Sequence, residues 1–134
     1  MARKKPLPCP CGAGRDYIEC CGPFLAGEAL PSTAEALMRS RYTAYALGEF
    51  DYLRTTWHST TRPTEIAPDN PPKWVGLEIL ATENGGENDT EGWVEFIARY
   101  KVQGRAFRLH ERSRFVREDG AWRYIDGVVN PSAG

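Results

Sequence analysis

The chain has 134 residues, 41% of them hydrophobic, with 17 Lys and Arg against 18 Asp and Glu and a formal net charge of −1. That length suits one compact domain with a small appendage, burying about two-thirds of the surface that the unfolded chain exposes. Near-neutrality argues against nonspecific nucleic-acid binding, and no run approaches the roughly twenty apolar residues that a membrane helix needs.

All the cysteines of the chain lie near its start, as Cys9-Pro10-Cys11 and the adjacent pair Cys20-Cys21. Thiolates are soft ligands that suit zinc, and four of them leave no open position, which makes a closed structural site. Gly12, Ala13 and Gly14 let the backbone turn tightly between the two ligand pairs. Arg3, Lys4, Lys5 and Arg15 are placed to offset the excess negative charge. The alternative is a pair of disulfides. Met-Ala-Arg-Lys-Lys runs into Pro6, Pro8 and Cys9 with no apolar signal-peptide core. A cytoplasmic address is therefore expected, and it favours metal over disulfide.

Pro31 marks the passage from this finger to the body. Ser32 as N-cap, with Glu35 three residues on, predicts a capping box and a helix starting near Thr33. Leu37, Met38, Tyr42, Tyr45 and Ala46 form its apolar stripe, and Gly48 ends it. A shorter helix is expected from Phe50 to Trp57, with Asp51 near its start. From Ser59 to Lys73 the prolines Pro63, Pro68, Pro71 and Pro72 predict a loop, and loops this long tend to be functional or mobile. The pattern then alternates. Strands are predicted over Val75–Ala81, Trp93–Val102, Arg105–Arg117 and Trp122–Val128, with turns at Glu83–Thr90, Gln103-Gly104 and Asp119-Gly120. Helices followed by an antiparallel meander indicate an α+β domain with the helices on one face of a curved sheet.

The run Cys9-Pro10-Cys11-Gly12-Ala13-Gly14-Arg15-Asp16-Tyr17, followed by Cys20-Cys21-Gly22, resembles the SEC-C motif, the short zinc finger at the tail of the preprotein translocase ATPase. The last ligand there is commonly His, where this chain has Cys21. Ser40-Arg41-Tyr42-Thr43-Ala44-Tyr45, Thr56-Trp57-His58, Arg62-Pro63 and Trp122-Arg123-Tyr124-Ile125-Asp126-Gly127 are similar to the YchJ-like family of uncharacterised bacterial proteins. The resemblance implies a SEC-C finger over residues 1–30 joined to a nuclear transport factor 2-like (cystatin-like) cone over residues 31–134. It implies no reaction. Because the translocase finger binds a chaperone or other cytosolic partners, it implies a protein partner for the finger.

On the third strand Phe107, Leu109, Glu111, Ser113 and Phe115 share one face, and Arg108, His110, Arg112 and Arg114 the other. An apolar inner face puts Glu111 in hydrophobic surroundings, where a carboxylate must be paired or protonated. The same parity sends Val94, Phe96, Ala98 and Tyr100 inward and groups Trp122, Tyr124 and Asp126. Tyr100, Glu111 and Asp126 are thus candidate polar points of an aromatic pocket, with Arg41, Tyr45, His58 and Arg62 as candidate neighbours. For Glu111 a structural ion pair with Arg41 or Arg62 is favoured over a ligand contact. For His58 a helix-end role is favoured over that of a general base. Arg99, Arg108, Arg112, Arg114 and His110 read as a solvated sheet face rather than an RNA surface.

The residues predict a protein of the cytoplasm that holds structural Zn2+, and the resemblance implies an adaptor that docks a protein through its finger, with a small-ligand pocket in the cone. The rival expectation is an enzyme of the ketosteroid isomerase-like or dehydratase-like type using the cone cavity, since folds similar to nuclear transport factor 2 include such enzymes. The body is also expected to fold without residues 1–22, since its helices and sheet supply their own apolar faces.

Overall fold

A computed structural model describes residues 7–66 and 71–130. Arg3, Lys4, Lys5 and Pro68, which entered the charge and loop arguments, lie outside those residues.

The finger is built from a tight loop, a 3-10 turn at Tyr17–Glu19 and the short helix α1, Gly22–Leu25. The principal helix, α2, spans Ala34–Leu47. Its N-cap is Thr33 rather than Ser32: the Thr33 hydroxyl accepts a hydrogen bond from Ala36 N at 3.1 Å. Glu35 does not close a capping box but pairs with Arg39, one turn along, at 3.0 Å. Two neighbouring hydroxyl residues satisfy the same sequence rule, and the tertiary bond from Ala34 N to Gly85 O fixes which one starts the helix. Gly48 ends α2 in the left-handed conformation. Helix α3, Phe50–Thr55, stops before the expected Trp57 because that residue turns away to bridge Tyr124.

Four strands follow: β1 (Lys73–Asn84), β2 (Glu91–Val102), β3 (Arg105–Glu118) and β4 (Ala121–Val129). They pair antiparallel in chain order, the expected meander. Gln103-Gly104 and Asp119-Gly120 have both residues at positive φ, the two-residue turn that matches the twist of the strands. The strands run past the predicted ends, and β1 takes in Trp74.

Helix α2 lies across the sheet, touching β1, β2 and β4. Leu37, Met38 and Tyr42 pack against Val94, Phe96, Ala98, Phe115 and Trp122. The segment after α3 closes one side through His58 N to Tyr124 O at 2.7 Å and Tyr124 N to Thr56 O at 2.9 Å. Cys9, Cys11 and Cys21 belong to the same apolar cluster as Leu37 and Tyr42. The finger thus packs on the core of the body.

Candidate metal centre and cone cavity

The cysteine loop is held by backbone bonds from Cys9 N to Arg15 O at 2.9 Å and from Tyr17 N to Leu7 O at 2.8 Å. Gly12 sits at φ 77°, a left-handed conformation that a side chain would strain, and this lets Cys9 and Cys11 face one point. The four sulfurs of Cys9, Cys11, Cys20 and Cys21 lie within 4.8 Å of one another, with Cys11 and Cys20 at 3.6 Å. Four thiolates around one ion at about 2.3 Å would stand roughly 3.8 Å apart, whereas a disulfide needs about 2.05 Å. All four cysteines are free thiols. The donor set fits a tetrahedral thiolate site and could hold a metal ion.

Three of the four are almost sealed: Cys11 is 0% exposed, Cys21 1% and Cys9 5%. Protons are unevenly distributed among them. A hydrogen bond from Cys21 holds the Cys11 thiol down at about 5. The same hydrogen bond pushes Cys21 up, and burial pushes Cys20 up to about 11. One negative charge is therefore stabilised at Cys11, and further thiolates need a cation.

Two groups outside the motif support the cluster. Cys9 Sγ lies 3.6 Å from Thr43 Oγ1, in the middle of α2, and Arg39 donates from Nη1 to Cys11 O at 2.9 Å. Sequence reasoning singled out Arg15 and the N-terminal basic run but missed Arg39. Its spacing from Glu35 was the available signal.

Between α2 and the inner sheet face lies a cavity of about 230 Å³, lined by Met38, Arg41, Tyr42, Tyr45, Trp57, Trp74, Phe96, Ala98, Leu109, Glu111, Ser113 and Tyr124. Arg41, only 4% exposed, spends Nη1 on Leu53 O at 2.9 Å and Thr56 Oγ1 at 2.7 Å. Its guanidinium sits 5.1 Å from the centre of the Trp57 ring and 4.9 Å from that of Tyr124. Burial lowers its pKa and raises those of Tyr45 and Tyr124. On β3, Glu111 accepts from Ser113 Oγ at 2.5 Å and from the Tyr124 hydroxyl at 3.5 Å, both on Oε2. The Glu111 carboxylate lies against Gly127, where a Cβ would collide with it.

The expected ion pair is not formed: among the described residues no arginine pairs with Glu111. Arg41 is instead held by the end of α3, and Arg62 is exposed and bonded to Trp57 O at 2.9 Å. Of the predicted pocket residues, the structure brings Arg41, Tyr45 and Glu111 together. Tyr100 lies outside the cavity lining, packed between Trp74 and Phe107.

His58 faces Thr60 Oγ1 at 2.8 Å and Glu118 at 3.8 Å, apart from the cavity. Asp126 turns outward and pairs with Arg114 at 2.9 Å. The register shifts between Arg114 and Phe115, which pair with Asp126 and Tyr124, so Ile125 is an extra residue that reverses the parity beyond it. Trp57 and Trp74, two aromatic walls, were not assigned to the pocket from the sequence.

The basic row on the outer face is largely paired within the sheet. Arg99 meets Glu78, Arg112 meets Glu83, and Arg114 meets Glu91 as well as Asp126. His110 is not simply solvated but bonded to Glu95 at 2.8 Å.

The family description "YchJ, middle NTF2-like domain" matches residues 33–127. The chain belongs to the YchJ (UPF0225) family. A UPF0225 protein of Cupriavidus pinatubonensis is 53% identical over 131 residues, 93% of this chain and 90% of the relative. One of Chromobacterium violaceum is 55% identical over 125 residues, 90% of this chain and 92% of that one. The solution structure of a SEC-C motif containing protein from Rhodopseudomonas palustris superposes with a TM-score of 0.80 at 38% identity, covering 90% of this chain and 96% of that one. The crystal structure of another, from Psychrobacter arcticus, gives a TM-score of 0.74 at 26% identity, covering 94% and 84%. These YchJ-family likenesses bear out the α+β fold with an N-terminal SEC-C-type cysteine finger. Among the described residues no helix is long and apolar enough to cross a membrane.

Proposed function

We propose that this YchJ-family chain is a zinc-binding adaptor of the cytoplasm, whose cysteine finger holds one structural Zn2+ and presents a small docking surface to a protein partner. The observation that carries the metal reading is the set of four sulfurs within 4.8 Å, three of them buried against α2. An all-thiolate set leaves no position for a reacting water, so the ion acts as a fastener for the loop. Docking is supported by Leu7 and Ile18, 72% and 77% exposed on the finger, in segments that the bond from Tyr17 N to Leu7 O ties to each other. The paired outer arginines favour a protein over a nucleic acid as partner. The cone cavity is a small-ligand site in the same reading.

The enzyme reading has less support. Neither histidine lines the cavity, and Glu111 has only Ser113 and Tyr124 as hydrogen-bond partners among the described residues. Affinity purification of the full chain beside its Ile18→Asp variant, with zinc measured in both, tests the adaptor role. A protein retained by the first, lost by the second at unchanged zinc content, supports it; identical captures by both contradict it.

A further inference from the structure

Arg41 and Glu111 face one cavity, and each has an unused edge. The bonds of Arg41 to Leu53 and Thr56 both come from Nη1. Among the described residues no backbone group or acidic side chain takes up its Nε and Nη2; the Tyr45 hydroxyl, on the same cavity wall, is the one other group that hydrogen-bonds to the guanidinium, and the one sealed side-chain polar atom without a partner is Nε of Arg123. The Nε–Nη2 edge of Arg41 is therefore open to the cavity. That edge is the planar fork that binds a carboxylate through two parallel hydrogen bonds. On Glu111 both bonds fall on Oε2, which leaves Oε1 as a free acceptor.

We propose that the cone cavity binds a small zwitterion, an amino-acid-like molecule whose carboxylate lies on the free edge of Arg41 and whose ammonium is accepted by Glu111. The charges exclude the simpler ligands. A lone anion satisfies Arg41 but faces the Glu111 carboxylate in a site walled by Trp57 and Trp74, and a lone cation meets the reverse problem. A molecule with both charges pairs the buried Arg41 and the half-buried Glu111 and has no net charge to desolvate. The aromatic walls take its apolar body. A volume of about 230 Å³ lies just below the roughly 300 Å³ at which sites for drug-sized ligands begin, so the ligand is a small one. Gly127 belongs to the same design, since a side chain there would displace the Glu111 carboxylate. The inference is independent of the metal reading because no cysteine lines the cavity.

The test titrates the full chain with L-phenylalanine and L-leucine, and with phenylpropanoate and phenethylamine as single-charge controls. Tryptophan fluorescence and the indole N–H signals of Trp57 and Trp74 are followed, and zinc content is measured on the same sample. The zwitterions should shift both indoles and bind more tightly than either control. Glu111→Gln should weaken the preferred zwitterion about tenfold, the effect of losing one charge-assisted hydrogen bond. This variant is chosen because Arg41 also holds α3, so replacing Arg41 could unfold the chain. No response to either amino acid at millimolar concentration, a control that binds as tightly, or unchanged affinity in Glu111→Gln overturns the proposal.

Discussion

The sulfur of Cys9 lies 3.6 Å from the hydroxyl of Thr43, so the finger reaches the middle of the helix that spans the sheet. With Cys9, Cys11 and Cys21 in one cluster with Leu37, Met38 and Tyr42, the cysteine cluster doubles as part of the core. We propose that finger and body fold as one unit, in place of the expectation that the body stands without residues 1–22. Deleting those residues would uncover part of α2 and cost about 2–4 kcal/mol. Thermal unfolding of the truncated chain should show a lowered or lost transition. An unchanged melting temperature would show the finger to be a mere appendage.

Metal uptake should strengthen as pH rises. Cys20, pushed up to about 11, and Cys21, raised by the hydrogen bond it gives Cys11, are thiols at neutral pH, so an ion must displace a proton from each. Cys11, held at about 5, is already a thiolate. The sign follows: lower pH favours the protonated, metal-free thiols, and affinity falls as pH falls. Competition against a chromophoric chelator across the neutral range should give a slope of about two protons or more per ion. A flat profile would contradict a thiolate centre.

Glu111→Gln should leave stability within about 1 kcal/mol of the parent or raise it, since no ion pair is broken. Had the ion pair with Arg41 or Arg62 existed, its loss would cost about 3–5 kcal/mol. Denaturant melts of the two proteins separate these outcomes. A loss in the larger range would show that Glu111 supports the architecture after all.

Asp126→Asn should cost less than about 1 kcal/mol, as expected of an exposed ion pair. Arg114 holds the Asp126 carboxyl below its usual range, so what the pair contributes is present near neutrality and is lost as pH falls through the lowered folded-state value. Denaturant titrations at neutral and acid pH check both size and sign. A loss of several kcal/mol would place Asp126 inside the cone.

Much of this architecture was legible because local chemistry left little choice. Gln103-Gly104 and Asp119-Gly120 mark hairpins, and alternation along β2 and β3 names the inner face correctly through Phe115. Four cysteines in so short a segment announce a common centre. What could not be read depends on contacts distant in sequence. The extra residue at Ile125 turns Asp126 outward, and nothing in Tyr124-Ile125-Asp126 signals it. The partner of Glu111 depended on where the end of α3 sits, and Arg41 is drawn to Leu53 and Thr56. Trp57 and Trp74 stand at the edges of elements, where periodicity is weakest.

Bound zinc is the most direct test of the finger's role. X-ray absorption with elemental analysis of protein purified without added metal should give one zinc per chain, bound by four sulfurs at about 2.3 Å. A stoichiometry near zero, with Cys9, Cys11, Cys20 and Cys21 joined as disulfides in the mass spectrum, would contradict it.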